Sequence, residues 1–204
     1  MKKVLSLLVL SAIVCLSVSA CGTPSAIRRG SWNNLVYFNE YGEFNLRSNE
    51  LFERYTDRKI KKNLGFVYSK DGRVLNDLVI SSDYCAIIVT LENPGEEYSL
   101  KEYVDAFILN SRQNNAGSNY SISECYQQSI AGKTYTCVPI LYYETGNKGS
   151  IGYCEYTYIY KSSDNVFVLI RITSGTQLNI EIALKMFEDP SAGEAGPSSK
   201  TSGD

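Results

Sequence analysis

Apolar residues return along this chain with two different periods. At Leu100, Tyr103, Val104, Phe107 and Ile108 the spacing is i, i+3, i+4, i+7, i+8, the stripe of a helix laid on a core. The residues before it can start that helix: Ser99 can cap it, Glu102 can reach back to complete a capping box, and Tyr98 can pack on Tyr103 as a staple. Asn114-Asn115-Ala116-Gly117 provides the stop. A second helical stripe uses Ile180, Ala183, Leu184 and Phe187, begins after Ser174-Gly175-Thr176 and halts before Pro190. A third, short helix is expected near Asn49 to Tyr55.

Elsewhere the period shortens to two. Asp83 to Leu91, Asn119 to Gln127, Lys133 to Tyr143, Ile151 to Lys161 and Asn165 to Thr173 are rich in Tyr, Val, Ile and Thr and are separated by Gly, Asn, Ser or Asp, the signature of strands. Short connectors join the last four, so they form an antiparallel meander, because parallel neighbours need long crossovers. The expected fold class is α+β: an antiparallel sheet meander flanked by two main helices.

The first residues carry an address. Met1-Lys2-Lys3 is positive, Val4 to Val18 is apolar, and small residues follow, the layout of a secretory signal peptide and too short for a comfortable membrane span. The tetrapeptide Val18-Ser19-Ala20-Cys21 resembles the lipobox of bacterial lipoproteins, with Val18 in place of the commoner Leu. The resemblance implies cleavage before Cys21, a diacylglyceryl and palmitate modification there, and attachment to the cell membrane on its extracytoplasmic face. Two acyl chains at about 0.8 kcal/mol per buried CH₂ supply on the order of 20 kcal/mol, enough for stable anchoring. The expected organisation is a signal peptide (1–20), a lipidated tether (21–30), one α+β domain (31–188) and a disordered tail (189–204), the tail being rich in Pro, Gly and Ser with only Ala as apolar content.

Short motifs inside the domain carry a second resemblance. Trp32, Tyr37, Asn39-Glu40-Tyr41, Phe44 and Leu46, then Ala131-Gly132-Lys133, then Tyr156 to Ile172 with its Asp164-Asn165 turn, resemble small cell-surface lipoproteins of Gram-positive anaerobes. More remotely they resemble the PsbP-like α/β/α sandwich. Such lipoproteins often follow the first hairpin with a Pro and a Trp, whereas Arg47-Ser48-Asn49 stands here. The resemblance implies a fold and a location.

Composition narrows the chemistry. The 204 residues include no His, which removes His-based triads, His-ligated metal sites and histidine switches. Formal charge is −2, and without Lys2 and Lys3 it becomes −4, against the basic balance of a nucleic-acid binder. GxSxG, Walker A, EF-hand and GxGxxG signatures are absent, no carboxylate pair stands out, and no catalytic, cofactor or metal residue is assigned.

Beyond Cys15 and Cys21 the cysteines are Cys85, Cys125, Cys137 and Cys154, without a CxxC. A hairpin with a three-residue loop at Ala131-Gly132 would place Cys125 opposite Cys137, near disulfide geometry; the other reading is four buried thiols. Tyr156, Tyr158 and Tyr160 alternate and share one face, with Tyr135 near them, as an aromatic platform for sugar or peptide or as core under a helix. Arg54, Arg58, Lys59, Lys61 and Lys62 form a cationic cluster for anionic lipid or wall polymer, or a solvated face.

These features lead to the expectation of a membrane-anchored, extracytoplasmic, non-enzymatic binding or accessory module. Its expected partners are the membrane, through Cys21, and an envelope protein, peptide or glycan, with no nucleic acid and no cofactor. The alternatives are an envelope glycan hydrolase using carboxylates only and a structural component of a surface assembly.

Overall fold

Residues 27–144 and 151–193, the part described by a computed structural model, build two antiparallel sheets and three helices. Residues 1–20, Cys21 and its following tether to residue 26, and the tail from residue 194 lie outside the described residues. The larger sheet runs in the order β4 (Glu53–Arg54), β5 (Val74–Ser81), β6 (Cys85–Glu92), β11 (Phe167–Ser174), β10 (Ile151–Lys161), β9 (Lys133–Tyr143) and β7 (Tyr120–Ile122). Its remaining strand, β8 (Tyr126–Ile130), also pairs with β9. The smaller sheet is β1 (Ser31–Asn33), β2 (Val36–Asn39), β3 (Phe44–Arg47) and β12 (Phe187–Glu188).

Alternation along the strands of the larger sheet separates two apolar faces. Ile87, Val89, Leu91, Tyr158, Ile170 and Ile172 point to one face, where they meet Tyr37, Phe44 and Leu46 of the smaller sheet and Ile180 and Ala183 of α3 (Gln177–Leu184). On the other face Val138, Ile159, Phe167 and Leu169 pack under Tyr103, Val104 and Phe107 of α2 (Leu100–Asn114). Beside them, Val79 and Ile88 pack under Tyr55 and Ile60, the latter from α1 (Asp57–Leu64). The result is a layered α+β sandwich.

The expected capping box of α2 is present. Ser99 Oγ accepts from the Glu102 amide at 3.2 Å while the Ser99 amide donates to Glu102 Oε2 at 2.9 Å. The β9, β10 and β11 meander also follows the expected bounds closely. Three local expectations are corrected, and one strand is added. The short helix lies at Asp57–Leu64, not Asn49 to Tyr55: Thr56 caps it, Gly65 closes it in the left-handed conformation, and Glu53–Arg54 instead pairs with β5 as an edge strand. The strand expected over Asn119 to Gln127 is two strands, because Pro139 in β9 has no N–H to offer: the Ser123 amide still donates to the Pro139 carbonyl at 3.0 Å, and the ladder then skips Glu124 and Cys125 before resuming at Tyr126. Phe187 is not on the second main helix, which ends at Leu184; it pairs with Leu46 in the smaller sheet. Finally, Val74–Ser81 is a fully buried strand that no apolar period announces.

The edges of the domain also extend further than expected. Ile27, at the end of the tether, is buried in the main core, and Pro190–Gly193 forms a 3₁₀ turn beyond Glu188.

Candidate functional site

The strand without a sequence signal supplies the centre of the site. Asn76-Asp77 breaks the apolar run of β5, and the pairing with β6 shifts register between Asn76 and Leu78, so Asp77 sits in a bulge. Its carboxylate is buried and collects four donors. The Gly30 amide donates to Oδ2 at 2.8 Å, Asn39 Nδ2 at 3.2 Å, and the Tyr37 hydroxyl through a short hydrogen bond. Arg29 Nε reaches Oδ1 at 3.4 Å. Burial, then the adjacent Asp77 charge, holds the Tyr37 hydroxyl well above its ordinary pKa, so it remains a donor.

These contacts explain the Asn39-Glu40-Tyr41 motif in structural terms. Asn39 is fully buried, its Oδ1 accepts the Gly42 amide at 2.8 Å and closes the β2–β3 turn, and its amide group joins Asp77. The Tyr41 hydroxyl accepts the Arg28 amide at 3.2 Å, and Glu40 pairs with Arg28 Nε at 2.9 Å. Gly30 permits the incoming chain to run against β2: a Cβ there would stand 2.6 Å from the Phe38 carbonyl oxygen and collide with the Tyr37 ring.

Arg29 then bridges layers. Besides Asp77 it donates from Nη1 to both carboxylate oxygens of Asp57, at 2.9 and 3.0 Å, tying the incoming chain to the first residue of α1. Burial works against its charge, but the two carboxylates outweigh burial and raise its pKa. Around this bridge lies a cavity of about 560 Å³, lined by Arg29, Gly30, Trp32, Tyr37, Arg54 and Tyr55, with Thr56, Asp57, Asp77 and Leu78 completing the wall. The volume is that of a small-molecule site.

Arg54 differs from Arg29 in its company. Its guanidinium lies 4.1 Å from the centre of the Trp32 ring, a cation–π contact, and it has no carboxylate partner among the described residues. Burial lowers its pKa, and the neighbouring Arg29 charge lowers it further. The rest of the expected cationic cluster divides. Lys59 pairs with Glu53 and lies 3.8 Å from the Tyr55 ring centre, whereas Arg58, Lys61 and Lys62 face solvent from α1. Lys61 and Lys62 occupy the last turn of α1, where cations complement the helix dipole.

Two expected constellations take other places. The β8–β9 hairpin turns through two residues, Ala131 and Gly132, both at positive φ, so Tyr126 and not Cys125 lies opposite Cys137. A one-residue change of register reverses the face of every side chain. Cys125 accordingly packs under α2 while Cys137 lies in the core on the opposite face, and all four described cysteines are free thiols. Burial pushes the Cys137 thiol up to about 12. Tyr156, Tyr158 and Tyr160 do share a face with Tyr135, whose ring centre is 5.2 Å from that of Tyr160. That face is the inner one, covered by the smaller sheet and α3, so these rings are core rather than an exposed platform.

Sequence reasoning picked out Arg54 only as part of a basic run and missed Arg29, Asp57 and Asp77. The one signal for Asp77 was an Asn-Asp pair inside an otherwise apolar segment. Among the described residues no group of three or more His, Cys, Asp or Glu side chains could hold a metal ion, and no helix is long and apolar enough to cross a membrane.

No family model matches the chain, and no curated protein matches it. Similar folds occur among solved structures. The Saccharomyces cerevisiae Ran-binding protein Mog1p gives a TM-score of 0.42 at 13% identity, covering 79% of this chain and 87% of its own. The solution structure of cyanobacterial PsbP (CyanoP) from Synechocystis sp. PCC 6803 gives a TM-score of 0.50 at 7% identity, covering 84% of this chain and 98% of its own. The chain therefore has a PsbP-like α+β fold.

Proposed function

We propose that this protein is a lipoprotein anchored to the cell membrane on its extracytoplasmic face, where it acts as a non-enzymatic binding or accessory module for an envelope ligand or partner. The observation that carries the binding role is the cavity at Arg29, Trp32 and Arg54, a preformed polar and aromatic recess at the seam of both sheets and α1. The anchor rests on Val18-Ser19-Ala20-Cys21. Residues that line the cavity are organised to hold position: Asp77 is taken up by four donors, and Asp57 and Asp77 accept from the same guanidinium. Neither is arranged as one of the two independent carboxylates, an acid and a base or nucleophile, that glycan hydrolysis requires.

Two experiments test the proposal. Metabolic labelling with a fatty-acid probe should mark the protein and fail to mark Cys21→Ser; a labelled Cys21→Ser variant would remove the anchor. Purified chain immobilised and exposed to native envelope extract should retain a glycan, peptide or protein that an Arg54→Gln chain does not. Equal retention by the two chains, or none, would remove the pocket from the function.

A further inference from the structure

We propose that the cavity beside Trp32 binds an oxyanion, a carboxylate or phosphate group carried by a small ligand, with Arg54 as the residue that receives it. This inference rests on the binding role proposed above and names its ligand class.

The argument is one of committed and uncommitted groups. Of the four charged side chains that line the cavity, three are bound to one another, one guanidinium against two carboxylates: Arg29 donates to Asp57 at 2.9 and 3.0 Å and to Asp77 at 3.4 Å. Asp77 is further occupied by Gly30, Tyr37 and Asn39, so it has little capacity left for a ligand donor. Arg54 remains. It stands on an edge strand with its guanidinium 4.1 Å from the Trp32 ring centre, and has no carboxylate partner among the described residues. The cation–π contact holds the guanidinium beside the indole while its N–H groups stay without a carboxylate, and these are the donors that recognise carboxylate or phosphate bidentately.

The surroundings reinforce the sign. Between Glu53 and Lys62 five cations stand against two carboxylates, and both of those, Glu53 and Asp57, are already paired with Lys59 and Arg29. The cavity lining itself carries two cations and two carboxylates, so an anion is received by the unpaired donors of Arg54, with the basic segment beside it, rather than by a net charge of the lining. Trp32 and Tyr55 supply apolar wall for the body of the ligand, in a volume suited to a molecule of roughly one or two rings.

The chain contains a single Trp, and it is the one beneath Arg54. Its fluorescence is thus a reporter placed at the site. Purified full-length chain is titrated with inorganic phosphate and, separately, with citrate, at ionic strength held constant with chloride, and compared with Arg54→Gln and Arg54→Lys. Expected is a saturable change in Trp32 emission for at least one anion, with the dissociation constant raised roughly tenfold or more in Arg54→Gln and partly restored in Arg54→Lys. A response to phosphate alone assigns the phosphoryl class, and to citrate alone the carboxylate class. No saturable response, or the same dissociation constant in Arg54→Gln as in the parent, overturns the inference. Circular dichroism of the variants confirms that the exposed Arg54 side chain was removed from a folded protein. Because the lipid-labelling experiment reads Cys21 and the fluorescence reads Trp32, failure of the anchor and failure of the anion site are separate results.

Discussion

Glu92, at the end of β6, should make this protein lose stability as pH rises from about 4.5 toward neutrality. Glu92 is 8% exposed and sits between Val74 of β5 and Phe167 of β11, its register partners. Burial pushes its pKa from 4.5 up to about 7; the Tyr103 hydroxyl, donating to Oε2 at 2.6 Å, opposes the rise, and the Asp71 charge adds to it. Below about pH 4.5 the group is protonated in both folded and unfolded chains and the folded state is fully favoured. Between 4.5 and 7 the folded chain keeps a proton that the unfolded chain releases, so stability falls as pH rises. Above 7 the loss is complete and amounts to about 3 kcal/mol, from two and a half pKa units at about 1.4 kcal/mol each. Glu92→Gln keeps an acceptor for Tyr103 and removes the ionisation. Urea unfolding followed by circular dichroism at pH 5, 6, 7 and 8 should show the parent declining over this range relative to the variant. Glu92→Gln should approach the parent at pH 5 and exceed it at pH 8 by up to about 3 kcal/mol, a difference in Tm of roughly 6 to 12 °C. Asp71, Glu102, Glu188 and Asp189 are held below their ordinary pKa values, so their contributions are lost in more acidic solution and leave this window unaffected. Parallel profiles for parent and variant, or a variant less stable at every pH, would refute the reasoning.

Ser99→Ala removes one half of the α2 capping box and should cost about 1 kcal/mol, read from urea midpoints; no change would mean that the box contributes nothing to the folded domain. Ala131 holds φ of 49° in a two-residue turn, so Ala131→Asn should raise stability by roughly 0.5–1 kcal/mol, and a loss would contradict the turn geometry. Mass spectrometry of alkylated, non-reduced protein should find Cys85, Cys125, Cys137 and Cys154 all free, with Cys125 reacting first in the native state because it alone is half-exposed. A disulfide-linked peptide pair containing Cys125 and Cys137 would overturn the observed register.

The elements that were legible are those whose information is local. The α2 start needs only Ser99, Glu102 and a stripe of apolar residues within a few turns, and the meander from β9 to β11 needs only alternation and short turns. The disulfide expectation failed by one residue. Loop length at Ala131-Gly132 decides which side chain opposes Cys137, and two residues or three are compatible with the same letters; Pro139 then lets β7 and β8 meet β9 in different registers. The tyrosine face failed for a different reason. Period two places Tyr156, Tyr158 and Tyr160 together, but whether that face meets water depends on a four-stranded sheet assembled from residues 31–47 and 187–188, far away in sequence.

Asp77 shows why the site itself was hidden. A buried carboxylate is costly unless it is paired and hydrogen-bonded, and in β5 it interrupts the pattern by which a buried strand is recognised. The cost is met by groups 38 to 48 positions earlier in the chain: Arg29, Gly30, Tyr37 and Asn39. None of those residues implies Asp77 by its own local sequence, and Asp77 implies none of them. The same feature that made the strand unreadable is what draws the incoming chain across the sheet edge, sets Arg29 between sheet and helix, and leaves Arg54 over Trp32 without a carboxylate of its own. An uncommitted cation in this recess is thus a consequence of how Asp77 was satisfied. Its chemistry follows from the distribution of charge among neighbours rather than from a motif.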